Sequence, residues 1–315
     1  MMEKQRIVFM GTPDFAVPAL QAIHAAGHTI AAVFTQPDKQ RGRGKKVSFS
    51  PVKEAALALG LPVHQPDSLR PAASVALVRS YAPTVIVVIA YGKILPREIL
   101  DIPPYGCLNV HASLLPRFRG AAPIQYAIKE GDGVSGVTIM GLDEGMDTGP
   151  ILKQAEIRLT AKETTGTLFA KLAQLGAQTL LPVLAELSQA LRQARPQDER
   201  LAVYTAKITK EMTNIDWHQD AAVIERWLRT LDPHPGAYTF WQGQRLKIWA
   251  ADVTEGGDAA PGTIIAVTKK ALIVQAGKGA LRITELQPES RKRMAAAQFL
   301  QSHQPAVGEK LTAAG

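Results

Sequence analysis

A chain of 315 residues with 46% hydrophobic and 20% charged content is ordinary globular material, long enough for about two domains. Cys107 is the only cysteine, which excludes an intrachain disulfide and a thiolate metal site and points to a reducing, cytoplasmic setting. The formal charge of +8 suggests an anionic partner, while the apolar residues 7–10 are too few for a signal-peptide core and no run approaches a membrane span of about 20 apolar residues.

The first half alternates apolar runs with helical patterns, which predicts an α/β domain with a mostly parallel sheet. Residues 7–10 read as a buried strand, Gly11-Thr12-Pro13-Asp14 as the turn after it, residues 15–26 as a helix ended by Gly27, and residues 30–35 as the next strand. Residues 53–59 predict a helix stopped by Gly60, and residues 62–64 a short strand. Residues 84–90 are nearly all apolar and β-branched, as a strand covered on both faces should be. Further along, residues 108–111 predict a strand, 124–129 a helix, 135–140 a strand, and 167–191 one or two helices over the sheet.

Between residues 191 and 207, Arg, Gln, Pro, Asp and Glu replace the apolar pattern, so the expected organisation is a first domain at 1–190, a linker at 191–207 and a second domain at 208–315. In the second domain a helix at 221–231 precedes five short segments, 237–241, 246–253, 262–267, 271–276 and 281–286, whose turn spacing predicts a small OB-like β-barrel.

The most specific segment runs Leu108-Asn109-Val110-His111-Ala112-Ser113-Leu114-Leu115-Pro116-Arg117-Phe118-Arg119-Gly120. Residues two apart on a strand share a face, so Asn109 and His111 present an amide and an imidazole side by side at the end of a parallel strand, the edge where open α/β sheets bind ligands. Met140-Gly141-Leu142-Asp143-Glu144-Gly145-Met146-Asp147-Thr148-Gly149-Pro150 is a glycine-punctuated loop that supplies a carboxylate, Asp147. An amide donor, an imidazole and a carboxylate suit acyl transfer, with Asn109 donating to a developing oxyanion, His111 moving or stabilising charge, and Asp147 orienting His111.

These segments, with Phe9-Met10-Gly11-Thr12-Pro13-Asp14-Phe15, Thr35-Gln36-Pro37-Asp38, Arg119-Gly120-Ala121-Ala122-Pro123-Ile124 and Tyr204-Thr205-Ala206-Lys207, resemble the folate-dependent formyltransferase family over nearly the whole chain. The resemblance implies a Rossmann-like catalytic domain that moves a formyl group from 10-formyltetrahydrofolate to the α-amino group of methionine on initiator tRNA, in support of translation initiation. It places Asn109, His111 and Asp147 on the family's catalytic positions and Ser113, Leu114, Leu115 and Pro116 on its folate-binding segment. The opening glycine segment lacks the second and third glycines of a dinucleotide fingerprint, so NAD is not expected. Neither is a metal, because the histidines show no ligand spacing.

Lys39-Gln40-Arg41-Gly42-Arg43-Gly44-Lys45-Lys46 gathers five cations in eight residues. The resemblance makes this segment an insertion that approaches the tRNA acceptor end, with Arg41, Arg43, Lys45 and Lys46 as phosphate contacts and Arg43 foremost. Lys207 is expected to join them, and Lys210, Arg226, Arg229, Arg245 and Lys247 extend a basic track into the second domain. Trp217, Trp227, Trp241 and Trp249 read as packing residues, Arg291-Lys292-Arg293 as a solvated face, and Cys107 as a small packing residue. The expected protein is a monomer with tRNA and folate as partners and neither membrane nor DNA. Two rivals stay open: a nucleotide-sugar N-formyltransferase with the same trio, and a non-catalytic RNA-binding protein on the same fold.

Overall fold

A computed structural model describes residues 4–41 and 46–313. They form two compact units: the first takes residues up to Pro123, Val134–Arg158 and Phe169–Thr205, and the second takes Ile124–Gly133, Leu159–Leu168 and the chain from Ala206 onward.

The first unit begins with β1 (Arg6–Gly11), α1 (Val17–Ala25) and β2 (Thr29–Phe34), then a small hairpin of β3 (Lys39–Arg41) and β4 (Lys46–Ser48). Next come α2 (Pro51–Ala58), whose Ser50 cap accepts from the Lys53 N–H, β5 (Val63–His64), α3 (Ala72–Ser80), β6 (Val85–Ile89), α4 (Arg97–Leu100) and β7 (Cys107–His111). After β8 (Arg119–Gly120) the chain passes through α5 (Pro123–Lys129), which falls in the second unit from Ile124 onward. Strands β9 (Val134–Gly141) and β10 (Ile151–Arg158) complete the first unit's sheet, and α6 (Thr165–Ala185), its first turn counted with the second unit, α7 (Leu187–Arg192) and β11 (Tyr204–Thr205) follow.

The seven-stranded sheet has the order β10-β9-β7-β6-β1-β2-β5. Strands β7, β6, β1, β2 and β5 are parallel, and β9 and β10 run antiparallel at one edge. The central strands β1 and β6 are buried almost throughout, the condition that lets a continuous apolar run be a strand. The sequence reading did not foresee α3, α4 or β10.

Helix α6 is 21 residues long and apolar enough by length and composition to cross a membrane, contrary to the expectation that no segment approaches that limit; half of its most apolar window is buried in the protein. Leu172, Leu180 and Leu184 are buried, and a Cβ at Gly176 would lie 2.8 Å from Val110, so the missing side chain lets the helix press against the strand that carries Asn109 and His111. Residues 191–205, expected as a spacer, belong to the first unit, where β11 pairs with β8 in parallel.

The second unit contains α8 (Ala221–Thr230), β12 (Ala237–Trp241), β13 (Gln244–Thr254), β14 (Ile264–Val267), β15 (Leu272–Gln275), β16 (Ala280–Pro288), β17 (Met294–Ala295), α9 (Ala296–Ser302) and β18 (Leu311–Thr312). Its antiparallel sheet runs β14-β15-β16-β13-β12-β18, with β17 on β16. Register shifts in β13 near Ala250 bend the sheet, and backbone bonds from 308–311 to 262–264 draw its two ends together into a small barrel-like curl. The amphipathic α8 buries Ile224 and Leu228 in a core shared with Trp217, Ile248, Ile283 and Phe299. Trp217 and Trp249 are buried, and Trp227 and Trp241 pack against the same core.

Candidate active site

Strand β7 lies between two ladders. Asn109 is opposite Val88 of β6 and Met140 of β9, and His111 is opposite Thr138 of β9, so the backbone on both sides fixes where these side chains emerge. His111 is 7% exposed. Its Nε2 lies 2.9 Å from the Phe118 carbonyl, which only accepts, so Nε2 carries a proton. Its Nδ1 faces Asp147 Oδ1 at 3.7 Å. That gap is longer than a direct hydrogen bond and leaves both groups free to address a third atom.

The chain after β7 turns back sharply, with Phe118 at φ +63° and Gly120 at φ +102°. A Cβ at Gly120 would sit 2.8 Å from the Thr205 carbonyl oxygen, so glycine is required for both the angle and the approach. The Gly120 N–H donates to Asp147 Oδ2 at 2.8 Å, which ties the histidine segment to the carboxylate.

Thr138 and Gln154, not foreseen as site residues, fasten this turn to the sheet. Thr138 Oγ1 donates to the Ser113 carbonyl at 2.7 Å and accepts from the Leu115 N–H at 3.1 Å, while Gln154 Nε2 donates to the Leu115 carbonyl at 2.9 Å. A buried threonine inside the apolar β9 was the available signal. Of the expected folate segment, Ser113 and Leu115 are buried, and the Ser113 hydroxyl donates to the Arg117 carbonyl at 2.6 Å; Leu114 and Pro116 keep partial exposure.

A cavity of about 440 Å³ opens beside β7, lined by Leu100, Cys107, Leu142, Asp143 and Glu144 among others. Cys107 lies two residues before Asn109 on the same strand face. Burial pushes its thiol up to about 12, so it remains a thiol at neutral pH, which fits packing rather than attack. Burial likewise pushes Tyr91 up to about 12, and its hydroxyl has no hydrogen-bond partner among the described residues. No group of three His, Cys, Asp or Glu residues is placed to hold a metal among the described residues.

The expected tRNA contacts are distributed unevenly. Arg41 and Lys46 are partners in the β3–β4 ladder, whereas Arg43 and Lys45 lie outside the described residues. At the base of that hairpin Lys53 Nζ bonds Asp38 Oδ2 at 2.5 Å and Gln65 Oε1 at 2.8 Å, and the Lys53 bond holds the Asp38 carboxyl below its ordinary range. Lys207 and Lys210 are exposed.

The rest of the supposed basic track is spent inside the second unit. Arg229 pairs with Glu225 at 2.9 Å, Arg226 Nε donates to the Lys129 carbonyl at 3.3 Å, Lys247 donates to the Pro235 carbonyl at 2.8 Å, and Arg245 stacks 3.7 Å over the Tyr238 ring. Arg291, Lys292 and Arg293 are all exposed, as expected, and Arg293 also bridges Asp232 and Glu285.

The sequence of residues 5–184 matches the formyl transferase family, and residues 207–304 match the formyl transferase C-terminal domain. The chain therefore belongs to the formyl transferase family, an α/β catalytic fold followed by an antiparallel β domain. At 46% identity it is similar to the methionyl-tRNA formyltransferase of Agathobacter rectalis, over 94% of this chain and 96% of that protein, and to the methionyl-tRNA formyltransferase of Magnetococcus marinus, over 98% and 99%. Among solved structures it shares its fold with HypX from Aquifex aeolicus in complex with tetrahydrofolic acid, at a TM-score of 0.66 and 19% identity; that match covers 98% of this chain, which spans 49% of HypX. The sugar 3N-formyl transferase WlaRD superposes with a TM-score of 0.64 at 16% identity, over 92% of this chain and 100% of WlaRD.

Proposed function

We propose that this protein transfers the formyl group of 10-formyltetrahydrofolate to the α-amino group of methionine on initiator tRNA, acting in the cytoplasm. The observation that carries this reading is the near-full-length similarity to two methionyl-tRNA formyltransferases, joined to an amide, an imidazole and a carboxylate gathered at one sheet edge.

In this reading the neutral methionyl amine attacks the formyl carbon and forms the new C–N bond. The formyl oxygen gathers negative charge, which the Asn109 amide and the protonated His111 stabilise. Collapse breaks the bond from carbon to the folate nitrogen; that nitrogen gains a proton and the amine loses one. A water bound beside the 3.7 Å contact, hydrogen-bonded to both His111 Nδ1 and Asp147 Oδ1, relays that proton. The folate ring is assigned to the segment Ser113, Leu114, Leu115 and Pro116 that follows His111, where Leu114 and Pro116 keep partial exposure. Arg41, Arg43, Lys45, Lys46 and Lys207 supply phosphate contacts to the tRNA, with residues 1–190 as the catalytic domain and 208–315 as a tRNA-binding domain.

The test is radiolabelled formyl transfer from 10-formyltetrahydrofolate, offered methionine-charged initiator tRNA and nucleotide-linked amino sugars as acceptors. Label on the tRNA is the expected result. Label on the sugar alone would keep the trio and overturn the acceptor, and label on neither would overturn the catalytic reading.

A further inference from the structure

Asp147 occupies the left-handed region at φ +56°, a conformation that residues other than glycine adopt infrequently. Its carboxylate is already directed at Gly120 and His111. Its main chain is held by a residue from the segment expected to be a spacer. Gln197 Nε2 donates to the carbonyls of Asp147 and Gly149, each at 2.8 Å.

The same amide is fixed from its other end. Gln197 Oε1 accepts from Arg119 Nε at 3.0 Å and Nη2 at 2.8 Å. Arg119 has no exposed surface, and Glu199 accepts from its Nη1 and Nη2 at 2.8 and 2.7 Å while the Tyr204 hydroxyl accepts from Nη1 at 3.0 Å. A flipped Gln197 would set its NH₂ against guanidinium donors, so Arg119 dictates that the nitrogen faces the turn. The Gln197 backbone is anchored two residues away, where Arg195 and Ile151 exchange backbone bonds at 2.7 and 2.9 Å.

We propose that Gln197 is a positioning residue for Asp147: Arg119 orients its amide, and the amide holds the 147–149 turn so that the carboxylate faces His111. The catalytic part of this inference rests on the reading of Asp147 as a member of the trio. Gln197, backed by Arg119 and Glu199, then serves the catalytic turn although it stands in the segment expected as a tether.

Gln197→Glu separates this role from mere packing. It keeps shape and keeps an acceptor for Arg119, but replaces the donor that faces two carbonyls with an oxygen. The control is Asp198→Ala, a neighbour whose carboxylate pairs with Arg200. Two readouts are taken on the full chain: steady-state formyl transfer, and amide hydrogen exchange of Gly120 and of residues 146–149, which needs no substrate.

The expected result for Gln197→Glu is a fall in kcat of about 10- to 100-fold, the range a misplaced catalytic group produces. KM for both substrates and Tm stay close to wild type, and exchange at Gly120 and in the turn becomes at least several-fold faster. Asp198→Ala changes none of these. Because Gln197 acts through Asp147, adding Gln197→Glu to Asp147→Asn lowers kcat no further than Asp147→Asn alone.

Unchanged exchange in Gln197→Glu overturns the proposal, as does faster exchange with an unchanged kcat, or additive losses in the double variant. A wild-type protein that formylates no charged tRNA would instead sink the proposed function, and the exchange readout would still decide whether Gln197 holds the turn.

Discussion

Two of the three candidate catalytic side chains ride on β7, where backbone ladders to β6 and β9 set their position whatever the neighbouring side chains are. The third, Asp147, sits on a turn outside the sheet and depends on single contacts, the Gly120 N–H and the Gln197 amide. Strand placement spreads the constraint over many backbone bonds, and turn placement concentrates it in a few residues. Damage to the sheet beneath the site should therefore appear as lost stability, and damage to the turn as lost turnover.

The sharpest way to break this comparison is Gly149→Ala. A Cβ there would meet the Gly141 carbonyl oxygen at 1.9 Å, so the turn must move away from β9. A displaced carboxylate is expected to lower kcat by about 100-fold with little change in Tm, since the turn lies outside the sheet. A large fall in Tm with normal turnover in the surviving fraction would reverse the assignment.

Val110→Ala probes the other side. Val110 is buried between Asn109 and His111 in sequence and faces Gly176 of α6. Truncating it is expected to cost about 2 kcal/mol of first-unit stability by removing two methyl groups from a packed site. In denaturant unfolding the midpoint should fall, while kcat at 25 °C stays within about twofold, short of the tenfold change that 1.36 kcal/mol would bring.

The smallest effect concerns Cys107. An ordinary thiol near 9 ionises in the unfolded chain before the folded thiol, raised to about 12, gives up its proton. Between those values the folded state binds more protons, so this group makes stability fall as pH rises through that window. Tyr91, raised from 10 to about 12, adds to the same alkaline limb. Cys107→Ala is expected to flatten the limb in part, and iodoacetamide at pH 8 should label Cys107 much more slowly in the folded than in the unfolded chain.

Strands β1, β6 and β7 were legible because burial on both faces leaves an uninterrupted apolar run. Helix α3 was not, since Ala72–Ser80 has no side-chain cap and only weak apolar periodicity. Edge strand β10 was missed for a related reason: its Lys153, Gln154, Glu156 and Arg158 give it the polarity of a loop. Asn109 and His111 could be paired from their spacing on one strand, and Asp147 from a glycine-rich loop. Nothing local marked Arg119 and Gln197, whose contact spans 78 residues. Composition labelled residues 191–207 a linker for the very side chains, Gln197 and Glu199, that a buried arginine needs as acceptors.

The most direct test of the account is Asn109→Ala, assayed for formyl transfer to methionine-charged initiator tRNA and, separately, for tRNA affinity. Losing one donor to a developing oxyanion costs on the order of 10²- to 10³-fold in kcat. The account predicts that loss with tRNA affinity unchanged. Turnover that survives the substitution would contradict the assignment of Asn109, and a wild-type protein that binds tRNA without formylating it would contradict the proposed function.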